Sequence, residues 1–233
     1  MKSLTGTLAV LVLVALSVAQ EQPPLESVMA KSDATLDTNP TSIFWLGARP
    51  TYAEVDPNGR RMPEYRTEIR SRWTKDNLYF LFTCPYQHLY LKPAPDVARE
   101  TYELWKWNVA EVFIGSDFHD IKRYKEFEVS PQNEWVDLDI NLNAPRHEDG
   151  WVWNSGFEHR ARIDEAAHIW YAAMKIPFTA LGTPAPAEGT AFRLNLFRTE
   201  GPPTDTKEIT WRPPMSNTFH TPERFGLLRL VTH

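Results

Sequence analysis

Cysteine is nearly missing from this chain: of 233 residues only Cys84 is one. No intramolecular disulfide can form, so the fold has to stand on its core. The setting of Cys84 in NLYFLFTCPY marks it as a small buried hydrophobe rather than a reactive thiol. Basic residues are not in excess either, with 25 Lys and Arg against 30 Asp and Glu and a net charge of −5. That balance excludes the clustered positive surface a nucleic-acid partner requires. Repeats and low-complexity segments are absent, and so is any apolar run long enough to cross a bilayer. The one apolar run, Leu8 to Ala19, falls short of the ~20 residues a spanning helix needs. Lys2 precedes that run and Ser17-Val18-Ala19 closes it with small residues, the pattern of a signal peptide over 1–19 cut before Gln20. The expected mature chain is secreted or periplasmic and has no membrane span.

What the chain does have is aromatic surface. Aromatic residues make up 12%, with 9 Trp; Trp73, Trp105, Trp107, Trp151, Trp153 and Trp211 sit among polar neighbours instead of in apolar runs. The apolar period along the chain is two, not 3.6. EIRSRW, YKEFEVS and EWVDLDI alternate, NLYFLF is apolar on both sides, and FEHRARI, HIWYAAMKI, FRLNLFR and FGLLRL continue the series between turn-forming clusters. The only helical candidate is a short turn, Pro177 to Leu181. Many close-spaced strands with ordered, proline-containing loops predict an all-β domain, an antiparallel β-sandwich or jelly roll, over 39–233, preceded by an extended leader over 20–38.

Strand alternation places Glu111 beside Val109 and Phe113, a carboxylate in apolar company. It sets Glu126, Glu128 and Ser130 opposite Phe127 and Val129, and Trp135, Asp137 and Asp139 opposite Val136, Leu138 and Ile140, from which one acidic sheet face is expected. Arg193, Asn195 and Phe197 share a side of FRLNLFR. Amide, guanidinium and carboxylate groups on a concave sheet match sugar hydroxyls as hydrogen-bonding partners.

The order of six motifs, WTKDNLYF, WNVAEVFIG, YKEFEVSPQNEWVDLDI, AAHIWYAAMKIPFTALG, FRLNLFRTEG and ITWRPPMSNTFHTPERFGLLRL, resembles carbohydrate-binding module family 9 over about residues 39 to 231. The resemblance implies a β-sandwich that grips a poly- or oligosaccharide chain end between two aromatic rings, often alongside a glycan-degrading enzyme partner in carbohydrate catabolism. It implies Trp105 as the first ring, six residues before Glu111, as the family spacing requires. It implies Phe219 as the second, where the family has tryptophan, and Asn217 and Asn195 near a loop and a sheet asparagine. The family's arginine and asparagine after the central strand fall near Glu128 and Ser130, so half the polar grip is changed. His220 is expected as a hydrogen-bonding loop residue of the site, not a metal ligand, because no second ligand stands at recognisable spacing. Trp107 is expected to be structural.

No motif calls for a cofactor, and no metal is assigned; Asp117, Asp120, Glu148 and Asp149 supply oxygens without a recognisable loop pattern. Two other functions stay open. A glycoside hydrolase would need two carboxylates flanking the scissile bond, and the pairs Glu126/Glu128 and Asp137/Asp139 are what a solvated strand face gives anyway. A haem-carrying electron-transfer sandwich would draw on Met62, Met174, Met215 and His220. The last strand motif, FGLLRL, ends three residues before the C-terminus, and a protein that binds without a separate catalytic domain is expected.

Overall fold

Each alternating stretch becomes a strand. The computed structural model describes residues 23–145 and 151–233; the expected signal peptide and the candidate oxygen ligands Glu148 and Asp149 lie outside the described residues. The strands are β1 (Leu25–Met29), β2 (Pro50–Ala53), β3 (Thr67–Trp73), β4 (Asn77–Pro85), β5 (Ala110–Gly115), β6 (Arg123–Val129), β7 (Trp135–Asn141), β8 (Glu158–Asp164), β9 (Ile169–Pro177), β10 (Ala191–Glu200), β11 (Lys207–Thr210) and β12 (Gly226–Val231). Burial along β3 alternates at every residue, as EIRSRW predicts, while β4 and β9 are buried on both sides at their centres. The helical turn expected after Pro177 is a 3-10 turn over Phe178–Leu181, and a second short turn, α1 (Ile43–Leu46), seats Trp45.

The fold is all-β, but the strands do not form two separate sheets. They follow one hydrogen-bonded path, β7-β6-β5-β10-β12-β1-β3-β4-β9-β8, with β11 on β10 and β2 on β3. The path curls until its halves face each other, a barrel-like arrangement. Between the halves lies the main core, in which Val112, Ile114, Phe127, Phe192, Leu194 and Leu196 from one side meet Phe80, Phe82, Trp170, Ala172, Met174 and Ile176 from the other. Cys84 belongs to this core, and burial pushes its thiol up to about 12, which leaves it unreactive.

The centre of the path departs from purely antiparallel pairing. β1, inside the expected leader, runs parallel to both β12 and β3, with Leu25 opposite Leu228 and Val28 opposite Arg72. A strand paired on both edges satisfies its backbone donors and acceptors on each side. Ser27 in β1 is fully buried and hydrogen-bonds Ser71 in β3 at 2.8 Å. The N-terminal segment therefore joins the two halves.

Candidate functional site

The site lies on the outer face of the β10-β5-β6-β7 half, and strand register builds it. Cross-strand partners share a face. Phe197 pairs with Glu111, Glu111 with Glu128 and Glu128 with Val136. One row over, Asn195 pairs with Phe113, Phe113 with Glu126 and Glu126 with Leu138. Glu111, Glu126 and Glu128 thus stand together among Phe113, Phe197, Val136 and Leu138. The single acidic face expected from alternation is corrected here: Asp137 pairs with Phe127 and points to the opposite side of the sheet, where Ser155 N donates to it at 2.9 Å. The five-residue connection 130–134 sets Val129 against Trp135, and this register puts the glutamates with Val136 and Leu138 instead of with Asp137 and Asp139.

Loops supply the rim. Trp105 sits in a 3-10 turn, Leu104–Lys106, entered through Glu103 in the left-handed region at φ 63° and anchored by the fully buried Leu104. Its ring is half-buried and meets Tyr102 edge-on, centroids 5.3 Å apart. Trp107 lies outside the pocket wall; it stacks on Tyr90 at 4.5 Å, and its carbonyl accepts a bond from the Thr199 hydroxyl at 2.9 Å. Asn108 fixes the same loop by accepting from Tyr90 N at 2.6 Å and donating to Gly201 O at 3.2 Å. From the last loop, Phe219 lies flat on Phe197, centroids 4.1 Å apart and planes 4° apart. His220 Nδ1 is 2.6 Å from the Tyr124 hydroxyl, and the imidazole stacks on Phe113 with Trp151 beside it.

These groups enclose a pocket of about 190 Å³, walled by Trp105, Phe113, Trp151, Phe219 and His220, with Glu111, Glu126 and Glu208 at its polar side and Asn217 and Thr218 at its lip. Of the residues expected in a site, Trp105, Glu111, Asn217, Phe219 and His220 come together in this one wall. Glu128 lies behind it, fully buried next to Glu111 and Glu126. Asn195 does not line this pocket. Its amide donates to Arg212 O at 2.9 Å and accepts from Arg212 N at 3.1 Å and Leu196 N at 2.9 Å, bonds that hold residue 212 against β10. Arg193, expected on the same surface, donates from Nε to Asp117 O at 2.9 Å and from Nη2 to Arg123 O at 3.1 Å. The wall residues not expected in the site are Phe113, Leu138, Trp151, Thr199, Glu208 and Thr218. Glu208 follows only from register, through its pairing with Thr199.

The electrostatics are one-sided. Burial, and then the carboxyls of Glu126 and Glu208, push Glu111 well above the usual carboxylate range. Burial, and then Glu111 and Glu126, do the same to Glu128, and burial alone raises Glu208. No lysine or arginine is among the described residues of the pocket wall. The arrangement can accept hydrogen bonds, hold a shared proton or face a cation. It does not offer the haem pair, since Met174 is buried in the main core and the wall containing His220 includes no methionine.

Comparison with known proteins agrees with this architecture. The family described as carbohydrate family 9 binding domain-like matches over residues 42–233. The chain belongs to that family. A curated relative, an extracellular protein of Arthroderma benhamiae, is 24% identical over 188 residues, covering 75% of this chain and 82% of its own. Among solved structures, a family 9 carbohydrate-binding module of Caldicellulosiruptor kristjanssonii in complex with glucose superposes with TM-score 0.63 at 12% identity, covering 89% of this chain and 96% of its own. A putative carbohydrate-binding protein of Bacteroides uniformis superposes with TM-score 0.67 at 15% identity, covering 89% and 98%. At these identities the structural likeness speaks for the fold. Glu128 and Ser130, the positions near which the resemblance sets the family's arginine and asparagine, are both buried in this chain.

Proposed function

We propose that this chain is a secreted, non-catalytic carbohydrate-binding protein whose pocket receives the terminal ring of a glycan chain. The observation that carries the reading is the pocket itself: about 190 Å³, with aromatic rings from two separate loops above a polar side made of Glu111 and Glu126. That volume lies below the ~300 Å³ at which drug-sized ligand sites begin, a size suited to one sugar ring. Trp105 and Phe219 offer apolar faces to the C–H faces of a pyranose, and Asn217 both donates and accepts toward its hydroxyls. The module of C. kristjanssonii is described in complex with glucose and, in a second structure, with cellotriose. The extracellular relative and the expected signal peptide support secretion.

Catalysis is disfavoured by register. Glu128 and Asp137 point to opposite faces of the sheet, and Glu111, Glu126 and Glu128 cluster on one side instead of flanking a cleft. Calorimetric titration of the full chain and of Trp105→Ala with gluco-, xylo- and manno-oligosaccharides tests the reading. Binding by the full chain, weakened about tenfold or more in the variant, supports it. Sugar release at an enzyme-like rate, or no binding across the panel, overturns it.

A further inference from the structure

At the floor of the pocket, Glu111, Glu126 and Glu128 are 2%, 3% and 0% exposed. Each offers a carboxylate oxygen within 4.8 Å of those of the other two. A Ca²⁺ ion sits ~2.4 Å from each ligand oxygen, so two oxygens on opposite sides of it are ~4.8 Å apart, and three oxygens no farther apart than this can share one ion. A second observation points the same way. Neither oxygen of the fully buried Glu128, nor Oε1 of Glu111, receives a hydrogen bond from an N–H or hydroxyl donor among the described residues. The one bond open to Glu128 is with Glu126, and two carboxyls bond each other only by sharing a proton.

Buried anions without donors are costly, and no lysine or arginine among the described residues forms an ion pair with Glu111 or Glu128. Of the two buried arginines of β10, Arg193 bonds the carbonyls of Asp117 and Arg123 through Nε and Nη2, and Arg198 pairs with Glu200 on the other face. We propose that Glu111, Glu126 and Glu128 hold a divalent cation of the hard, oxygen-seeking class, Ca²⁺ first, at the base of the pocket. All three ligands are carboxylates, a donor set that suits Ca²⁺, Mg²⁺ or Mn²⁺ over softer metals. Glu111 and Glu126 also line the pocket, so the remaining coordination positions of the ion open toward it. The cation reading stands apart from sugar binding and is tested without sugar.

The test is calorimetry and thermal melting of chelator-stripped full chain with CaCl₂, MgCl₂ and MnCl₂, alongside Glu128→Gln and, as a control on the opposite face, Asp139→Asn. The expected result is one ion per chain and a melting point raised by about 5 to 10 °C at a hundredfold excess over Kd. EDTA should reverse the rise, Glu128→Gln should abolish it and Asp139→Asn should keep it. The wild-type titration stands even if a variant fails to fold. Absence of heat and of any melting shift with all three ions overturns the proposal, and a Glu128→Gln protein that then melts higher than wild type identifies a cluster held by shared protons. Binding of glucosamine with none of the metal ions also overturns it, by showing that the cation the floor accepts is a sugar ammonium.

Discussion

The two outer faces of the curled sheet begin alike and end differently. On the β3-β4-β9 half, Tyr79, Leu81, Tyr171 and Ala173 form an aromatic patch, and the chain covers it with its own segment carrying Leu36, Phe44 and Trp45. The cover is stitched with partners. Trp45 Nε1 donates to Asp37 O at 2.9 Å, Arg72 Nη1 to Phe44 O at 2.8 Å and Arg70 Nη1 to Pro40 O at 3.0 Å. Tyr79 and Asn77 donate to Asp33 at 3.0 and 2.9 Å, and against the cost of burial these bonds and that from Thr74 hold Asp33 below the usual carboxylate range. On the β5-β6-β10 half, Phe113, Phe197 and Trp151 form a comparable patch, but the loops of Trp105 and Phe219 stop around a pocket, and burial with mutual repulsion drives Glu111 and Glu128 the other way. The contrast teaches where to look for a ligand: one face is covered by the chain's own segment, and among the described residues the other keeps a pocket between its loops.

The comparison can be broken by substitutions that should separate folding from binding. Trp45 is 1% exposed under the covered face, and Trp45→Ala should cost about 3 to 5 kcal/mol in urea unfolding. The half-buried Trp105 is the matched case on the open face; Trp105→Ala should change the unfolding free energy by under about 0.5 kcal/mol. Equal losses in the two variants would make Trp105 a core residue. Asn195→Ala comes next. It removes one buried and two partly buried hydrogen bonds and should cost about 1 to 3 kcal/mol of stability, with sugar affinity per folded molecule unchanged. A variant of normal stability and lost affinity would return Asn195 to the binding site.

A smaller effect is expected with pH. His159 stacks on Trp135, and burial lowers its imidazole to about 4. The unfolded chain, with an ordinary histidine near ~6.5, binds the proton first. The stability held by neutral His159 is therefore complete above pH ~6.5 and drains as pH falls toward 4. Melting curves recorded over that window should fall less steeply for His159→Gln than for wild type, and parallel curves would show that the imidazole titrates normally.

How much of this was legible in the sequence depended on how local the signal was. Strands announced themselves because alternation such as EIRSRW is a property of neighbouring residues. The spacing of Trp105 and Glu111 placed both in one wall because six residues of turn and strand connect them. The fate of Glu126 and Glu128 against Asp137 was not legible, since it depends on a register fixed by the connection 130–134, and a slip of one residue exchanges the faces. LESVM carries too short a pattern to declare that it pairs with β12 and β3, two partners far along the chain. Asn195 looked like a ligand because an amide on a concave face suits sugar, yet its partner is the backbone of a residue 17 positions away.

The central claim is that the open face encloses the end of a sugar chain. It is tested most directly by calorimetry with one oligosaccharide before and after borohydride reduction, which opens the terminal ring and leaves the rest of the chain intact. If Trp105 and Phe219 cover the two faces of a terminal ring, reduction should weaken binding by about an order of magnitude or more, the loss of one or two hydrogen bonds to a charged group. Equal affinity for the two forms would contradict the account, because a ligand indifferent to its terminal ring is held along its length and not by its end.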